Sequence, residues 1–314
     1  MMRQTTPAPT GNNPTNHELQ VFDRRVLRLH RDRSACHYPQ YNFLFQEGAE
    51  RLVDRLEVVT RPFSTILELG CHGGELEPCC LPKMEPVADR LWLKTDLSMK
   101  LLRQIEGYRL QADEEFLPVH DGSLDLIISN LSLHWINDLP GTLIQINRAL
   151  RPDGLFLASL MGGDTLSELR QAMMQAEIAL LDGASPHVSP FADLRDMGGL
   201  LQRAGFALPV VEADTITVTY ENAYVLMKEL QAMGESNTLL KRAKGLTSRR
   251  LLTTTVEAYH DLFARSDGRI PVTFQMMFLT AWAPHESQPK PLAPGSAKAR
   301  LADALGVKEH GEDD

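Results

Sequence analysis

Residues 66–76 read ILELGCHGGEL, an apolar run that enters a glycine-rich turn with a histidine in its middle. Glycine serves such a turn where the backbone needs positive φ or where a ligand must touch bare main chain. The run STILELG (64–70) reads as a buried strand. Outward from it the same signal recurs in RLWLKTD (90–96), YRLQAD (108–113), LDLIISN (124–130) and LFLASL (155–160). The helical pattern LPGTLIQINRAL (139–150) and a turn at RPDG (151–154) precede the last of these. Strands alternating with helices in this way predict a parallel, doubly wound α/β sheet.

Two more strands are expected at 209–220 and 272–283, after helices at 165–180 and 190–206, with a helical cap between them at about 221–268. Ahead of the sheet, 18–37 and 43–58 read as helices. In the first, Phe22, Val26 and Leu29 share a stripe surrounded by Arg24, Arg25, Arg28, Arg31 and Arg33. That basic face is either solvated or a greeting surface for an acidic partner. The expected organisation is a disordered leader (1–17), N-terminal helices (18–60), the sheet domain (61–284) and a flexible tail (285–314).

With 314 residues, 43% of them hydrophobic, the chain has ample core. A net charge of −9 argues against phosphate-driven nucleic-acid binding. No apolar run reaches the roughly 20 residues of a membrane helix. Residues 1–16 lack the apolar segment of a signal peptide, and the expected location is the cytoplasm. Cys36, Cys71, Cys79 and Cys80 form no CxxC pair, so reduced thiols are expected and no zinc half-site. The ten histidines are scattered along the chain, and no metal is expected.

The dinucleotide fingerprint GxGxxG is broken by His72 and Glu75. The later acids are more telling. Asp96, ending the second strand, can accept both hydroxyls of a ribose. Asp113, after the third, can accept from an adenine amine or cap the next turn, with Leu97 and Phe116 as walls. Glu68 either bonds the loop backbone or meets the ligand. Cys71 can touch a cofactor only through its backbone. For His72 an ordinary φ and an outward ring are expected, Gly73 and Gly74 supplying the tight point. His134 stands at the mouth of the sheet, as a site residue or as a helix cap, and Trp135 as a packing wall.

The pieces LELGCHGG, TDLSMKLL, ADEEFLP, DGSLDLIISNLSLHW and RALRPDGLFLAS, in this order, resemble class I S-adenosylmethionine (SAM) dependent methyltransferases, with a Rossmann-like seven-stranded sheet. The resemblance implies a SAM site at Glu68, Gly70, Cys71, Gly73, Gly74, Asp96, Leu97, Asp113, Glu114 and Asn130. GGDTLSELR (162–170), MGESN (233–237) and HESQPKP (285–291) are similar to a narrower group, the mitochondrial complex I assembly factor 5 family, from about Phe22 to Ser296. This implies hydroxylation of an arginine on the iron–sulfur subunit of the complex I quinone module, in the mitochondrial matrix for eukaryotic relatives. It also implies a transient approach to the membrane-bound complex. His134, Asp164, Glu168 and Glu235 are then the candidates for docking the substrate arginine or acting on it, the acids able to form a pair that matches its guanidinium fork, or else serving as helix caps and solvated surface groups. His72 departs from that family, which has glycine there. The core also resembles malonyl-acyl-carrier-protein O-methyltransferase of biotin synthesis, and a non-catalytic assembly chaperone is a third reading.

Overall fold

The computed structural model describes residues 20–181 and 183–289; the expected leader and the tail beyond 289 lie outside them. The stretch quoted above begins in β1 (Thr65–Leu69), where all but the first residue are buried. Successive residues face opposite sides of the sheet. Ile66 therefore joins the core on one face and Leu67 the core on the other. A parallel strand covered on both faces must be apolar throughout, which is why no polar alternation marks it.

β2 (Leu91–Asp96), β3 (Tyr108–Gln111), β4 (Leu124–Asn130), β5 (Leu150–Met161), β6 (Ala207–Tyr220) and β7 (Ile270–Trp282) complete a seven-stranded sheet of order 3-2-1-4-5-7-6. Only β7 runs antiparallel to its neighbours β5 and β6. The strand order reverses between β1 and β4, so the loops leaving them lie side by side and open a crevice at the carboxyl ends.

α3 (Phe43–Glu57), α7 (Ser167–Leu181) and α10 (Arg249–Phe263) cover one face; α6 (Leu139–Ala149) and α8 (Leu194–Arg203) cover the other. The expected turn at 151–154 is a bulge inside β5. Leu124 pairs with Leu150 and Leu126 with Leu155, leaving the residues between to loop out, with Asp153 at φ 64. Asp125 staples the bulge to the start of β1: it accepts from Ser64 N and Thr65 N, each at 2.9 Å, and pairs with Arg151.

Two helices bear on the site. α1 (Arg24–Ser34) starts at Asp23, whose carboxylate accepts from Val26 N at 3.1 Å. Its buried stripe is Leu27, Arg31 and Ser34, not the expected Phe22, Val26 and Leu29. Phe22 precedes the helix and forms a bridge with Leu239. α9 (Ala223–Met233) belongs to the cap and ends at Gly234 with φ 88. Glu235 N then donates back to Leu230 O at 2.9 Å, the reversal that only a left-handed residue permits at low cost.

Candidate functional site

The glycine turn is built by close approach. Gly70 has φ 65, and a Cβ there would stand 2.0 Å from Ser132 Oγ at the end of β4. Cys71 N donates to Thr95 O and Gly74 N to Cys71 O, closing the turn with Gly74 at φ 80. His72 itself has φ 46, against the expectation of an ordinary φ, and its ring points inward. The imidazole is buried 4.4 Å from the Phe45 ring and 6.2 Å from that of Tyr38, centroid to centroid. Burial, with Arg31 nearby, holds its pKa well below the usual histidine range. The left-handed backbone is tolerated because the ring is locked into an aromatic slot from α3 and the turn before it. His72→Gly relieves about 1 kcal/mol of backbone strain but empties that slot, which costs about 2–3 kcal/mol by analogy with other large-to-small core changes. A net loss of stability is expected, read as a lower urea midpoint.

The strand-end acids come together as the layout predicts, but α1 has reached them first. Arg31 is 1% exposed. Its Nη1 lies 3.2 Å from both Asp96 Oδ2 and Glu114 Oε1, and its Nη2 donates to Ser132 Oγ at 2.9 Å. Arg24 donates to Asp113 Oδ1 at 2.5 Å and also pairs with Glu114. Asp96 further accepts from Ser98 N at 2.7 Å and His72 N at 3.2 Å. Burial opposes the charge on Glu114, yet Arg24 and Arg31 pull its pKa down to about 2. Burial raises Asp96, and Arg31 offsets that only in part. The sequence reading put Arg31 on a basic face that was either solvated or a greeting surface for an acidic partner; instead it is buried against acids of its own chain. The signal available was its spacing four residues from Leu27 and three from Ser34, on the side that faces the acids.

Several other expected cofactor residues have structural duties. Glu68 accepts from Trp92 Nε1 at 2.7 Å inside the core and bonds no loop backbone through its side chain. Asn130 donates to Phe45 O and accepts from Ser159 Oγ, each at 2.7 Å, and so ties α3 to the sheet. Leu97 packs with Phe22, Leu27 and Trp135. Cys71 is buried beside Leu102 and Ile105. A Cβ on Gly73 would stand 2.6 Å from the Tyr38 ring. Phe116 is 73% exposed and walls nothing, because the turn after Asp113 carries it outward.

A cavity of about 310 Å³ lies under the cap, lined by Met161, Leu169, Met173, Phe191 and Phe274 among others, with His134 and Glu235 at its polar end. Glu235 Oε2 accepts from Trp135 Nε1 at 2.9 Å and lies 3.4 Å from His134 Nε2. Met161 N donates to His134 Nδ1 at 3.4 Å, which leaves the ring proton on the nitrogen facing Glu235. Glu235 Oε1 is buried and has no hydrogen-bond partner among the described residues. A buried acceptor left bare carries the cost of its desolvation unless a donor arrives.

The expected pairing among Asp164, Glu168 and Glu235 does not assemble, because Glu168 and Asp164 are taken up by β7. Glu168 gives both oxygens to Thr273, to its N at 3.2 Å and its Oγ1 at 2.5 Å. Asp164 accepts from Gln275 Nε2 at 3.0 Å on the exposed side. Both acids pin the start of α7 to β7. Sequence reading missed the clasp beside the cavity, where Glu177 binds Ser185 and His187 and holds the loop that carries Val188 and Phe191. Among the described residues no group of three His, Cys, Asp or Glu stands close enough to hold a metal ion. No helix among them is long and apolar enough to cross a membrane.

A methyltransferase-domain family model matches residues 37–211. The zebrafish (Danio rerio) protein named "Arginine-hydroxylase NDUFAF5, mitochondrial" is 39% identical over 292 residues, spanning 91% of this chain and 89% of its own. A malonyl-[acyl-carrier protein] O-methyltransferase of Laribacter hongkongensis is 34% identical over 286 residues, 85% of this chain and 92% of that protein. Of solved structures, phosphoethanolamine N-methyltransferase 2 of Haemonchus contortus, in complex with S-adenosyl-L-methionine, matches with a TM-score of 0.50 at 15% identity, over 82% of this chain and 60% of that one. At that identity the likeness speaks for the fold.

Proposed function

The chain belongs to the methyltransferase-domain family and, within it, to the family of the mitochondrial arginine-hydroxylases NDUFAF5, and from that premise we propose that it hydroxylates an arginine side chain of a protein substrate docked on Glu235. The observation that carries this is Glu235 in the lining of a largely apolar cavity, with its Oε1 buried and without a hydrogen-bond partner among the described residues. An arginine has a methylene stem that suits apolar walls and a guanidinium that donates in fixed directions to a carboxylate. Trp135 and His134 both engage Oε2 of Glu235, so Oε1 is the oxygen without a partner among the described residues and the one we assign to the guanidinium. Among the described residues, those lining the cavity include no Lys or Arg. A malonyl carboxylate would find an acid there and no cation, which favours arginine over a carrier-bound malonyl group.

Hydroxylation replaces a C–H bond of the arginine side chain by C–OH. With dioxygen as oxidant, one oxygen atom enters the product and the other leaves as water, consuming two electrons from an external reductant and two protons. The SAM that the family implies fits the site by donor chemistry. Asp96 can take the ribose hydroxyls and Asp113 the adenine amine, at a turn where Gly70 and Gly74 keep the backbone bare. When bound, that cofactor supplies an electrophilic methyl group. Glu235 orients the guanidinium, and the cap keeps water from it.

Family membership supports a role in complex I assembly, and the substrate we propose is the iron–sulfur subunit of its quinone module. The proposed setting is the bacterial cytoplasm, with a transient approach to the membrane-bound complex. The test is to incubate protein and subunit with SAM and a reductant under air, then weigh the peptides. A gain of one oxygen on an arginine peptide is expected. A gain of one methyl with stoichiometric S-adenosylhomocysteine means ordinary methyl transfer and defeats the proposal.

A further inference from the structure

We propose that α1 is a displaceable plug in the cofactor groove: the guanidinium groups of Arg31 and Arg24 occupy the carboxylates that SAM would use, so the cofactor enters only as α1 withdraws. This rests on the SAM reading of the preceding subsection. The overlap is direct. Asp96, the ribose acceptor, is bound to Arg31; Asp113, the adenine acceptor, is bound to Arg24; Glu114 is shared by both. Nη2 of Arg31 reaches on to Ser132 Oγ, the atom that faces Gly70 across the crevice. The cavity under the cap has none of Gly70, Asp96, Asp113 or Glu114 in its lining.

The seat is also imperfect, as a displaceable contact should be. Arg31 Nε, His72 Nε2 and Tyr38 OH are all buried around the groove without hydrogen-bond partners among the described residues. A permanent structural ion pair would be expected to satisfy its own donors, since a half-satisfied buried network is costly. Four carboxylates, Asp96, Asp113, Glu114 and Glu115, here face two guanidinium groups. SAM carries a sulfonium, an ammonium and a carboxylate, a net charge of +1, and so replaces one of the two guanidinium charges, while its ribose hydroxyls donate to Asp96.

The plug has identifiable anchors outside the groove. Asp32 accepts from Ser98 Oγ at 2.7 Å, and Asn137 Oδ1 accepts from Val21 N and Phe22 N, each at 2.8 Å. These contacts do not involve the cofactor acceptors, so they set the equilibrium between seated and withdrawn helix without touching the ligand. Apparent cofactor affinity is then the intrinsic affinity scaled by the withdrawn fraction.

Two measurements on the full chain decide the matter. In the first, backbone amide exchange across 24–34 is followed with and without SAM. Faster exchange on adding SAM is expected, the reverse of ordinary ligand protection. In the second, calorimetry compares wild type with Arg24→Gln and Arg31→Met. If about a tenth of the chain is withdrawn at rest, weakening the plug tightens SAM binding by up to about tenfold. Arg24→Gln is the variant that keeps folding, since Arg31 remains to neutralise the buried acids. Protection of α1 by SAM, or weaker binding in Arg24→Gln, makes α1 a wall of the cofactor site and overturns the plug while leaving the SAM reading intact. Unchanged exchange and unchanged affinity overturn it equally. Absence of SAM binding in wild type and both variants defeats the SAM reading, and the plug falls with it.

Discussion

Glu235→Gln lowers kcat/KM for arginine modification by about 30-fold to several-thousand-fold, the range set by the roughly 2–5 kcal/mol that truncating one side of a buried charge pair costs. The amide has the same shape and its oxygen can still accept from Trp135 Nε1. It brings an NH2 group and no negative charge to the position where the guanidinium needs an acceptor. Stability should barely change, because Oε1 has no partner among the described residues to lose. Steady-state kinetics on the subunit or an arginine peptide, beside a urea melt of the same variant, separates the two effects. Glu168→Gln is the contrasting variant. It weakens the tether to Thr273 and costs on the order of 1 kcal/mol of stability, with little effect on kcat/KM. Full activity in Glu235→Gln ends the docking assignment.

Glu68 gives the second large effect, on stability against pH. Burial raises its pKa from an ordinary 4.5 to about 8, with Trp92 and Lys94 offsetting only part. The folded state therefore holds this proton more tightly than the unfolded chain does. That contribution is complete below the unfolded value of 4.5 and is lost as pH rises through about 8. At 1.36 kcal/mol per unit the whole swing is on the order of 3–5 kcal/mol. Glu68→Gln mimics the protonated acid and removes the swing. Urea midpoints at pH 5 should nearly coincide for wild type and variant, and at pH 9 the variant should be the more stable by several kcal/mol. Parallel loss in both proteins would show that the proton sits elsewhere.

The sheet was legible because its strands are buried on both faces. Apolar runs such as Leu124–Ile128 admit few alternatives, and their alternation with helices dictates parallel pairing. The acids at strand ends were legible for the same reason, since the layout fixes where Asp96 and Asp113 emerge. What binds them was not. An arginine two strand-ends away in space and more than sixty residues away in sequence leaves no local pattern beyond its place on a helical stripe. His72 misled because two glycines beside it offered to absorb the strain, whereas the aromatic slot of Tyr38 and Phe45 exists only in the folded chain. Family-specific blocks drew Asp164, Glu168 and Glu235 together. Only hydrogen bonding separates an acid that fastens a helix to a strand from one left bare in a cavity.

The bridge between Phe22 and Leu239 also bears on how the molecule is made. Asp23 N donates to Thr238 O and Leu240 N to Val21 O, so the entrance to α1 is knitted to a segment more than two hundred residues downstream. Contacts of such sequence separation form late, because loop closure must be met before they contribute. During synthesis, β1 to β5 and the acids they carry can come together well before residue 240 leaves the ribosome. For that interval α1 is joined to the growing domain without its downstream latch, and Asp96 and Glu114 must be neutralised by an unlatched helix, by protons or by a bound cation. The last stage of folding is then the fastening of the N-terminal helix, which makes the cofactor groove the latest part of the fold to reach its final state.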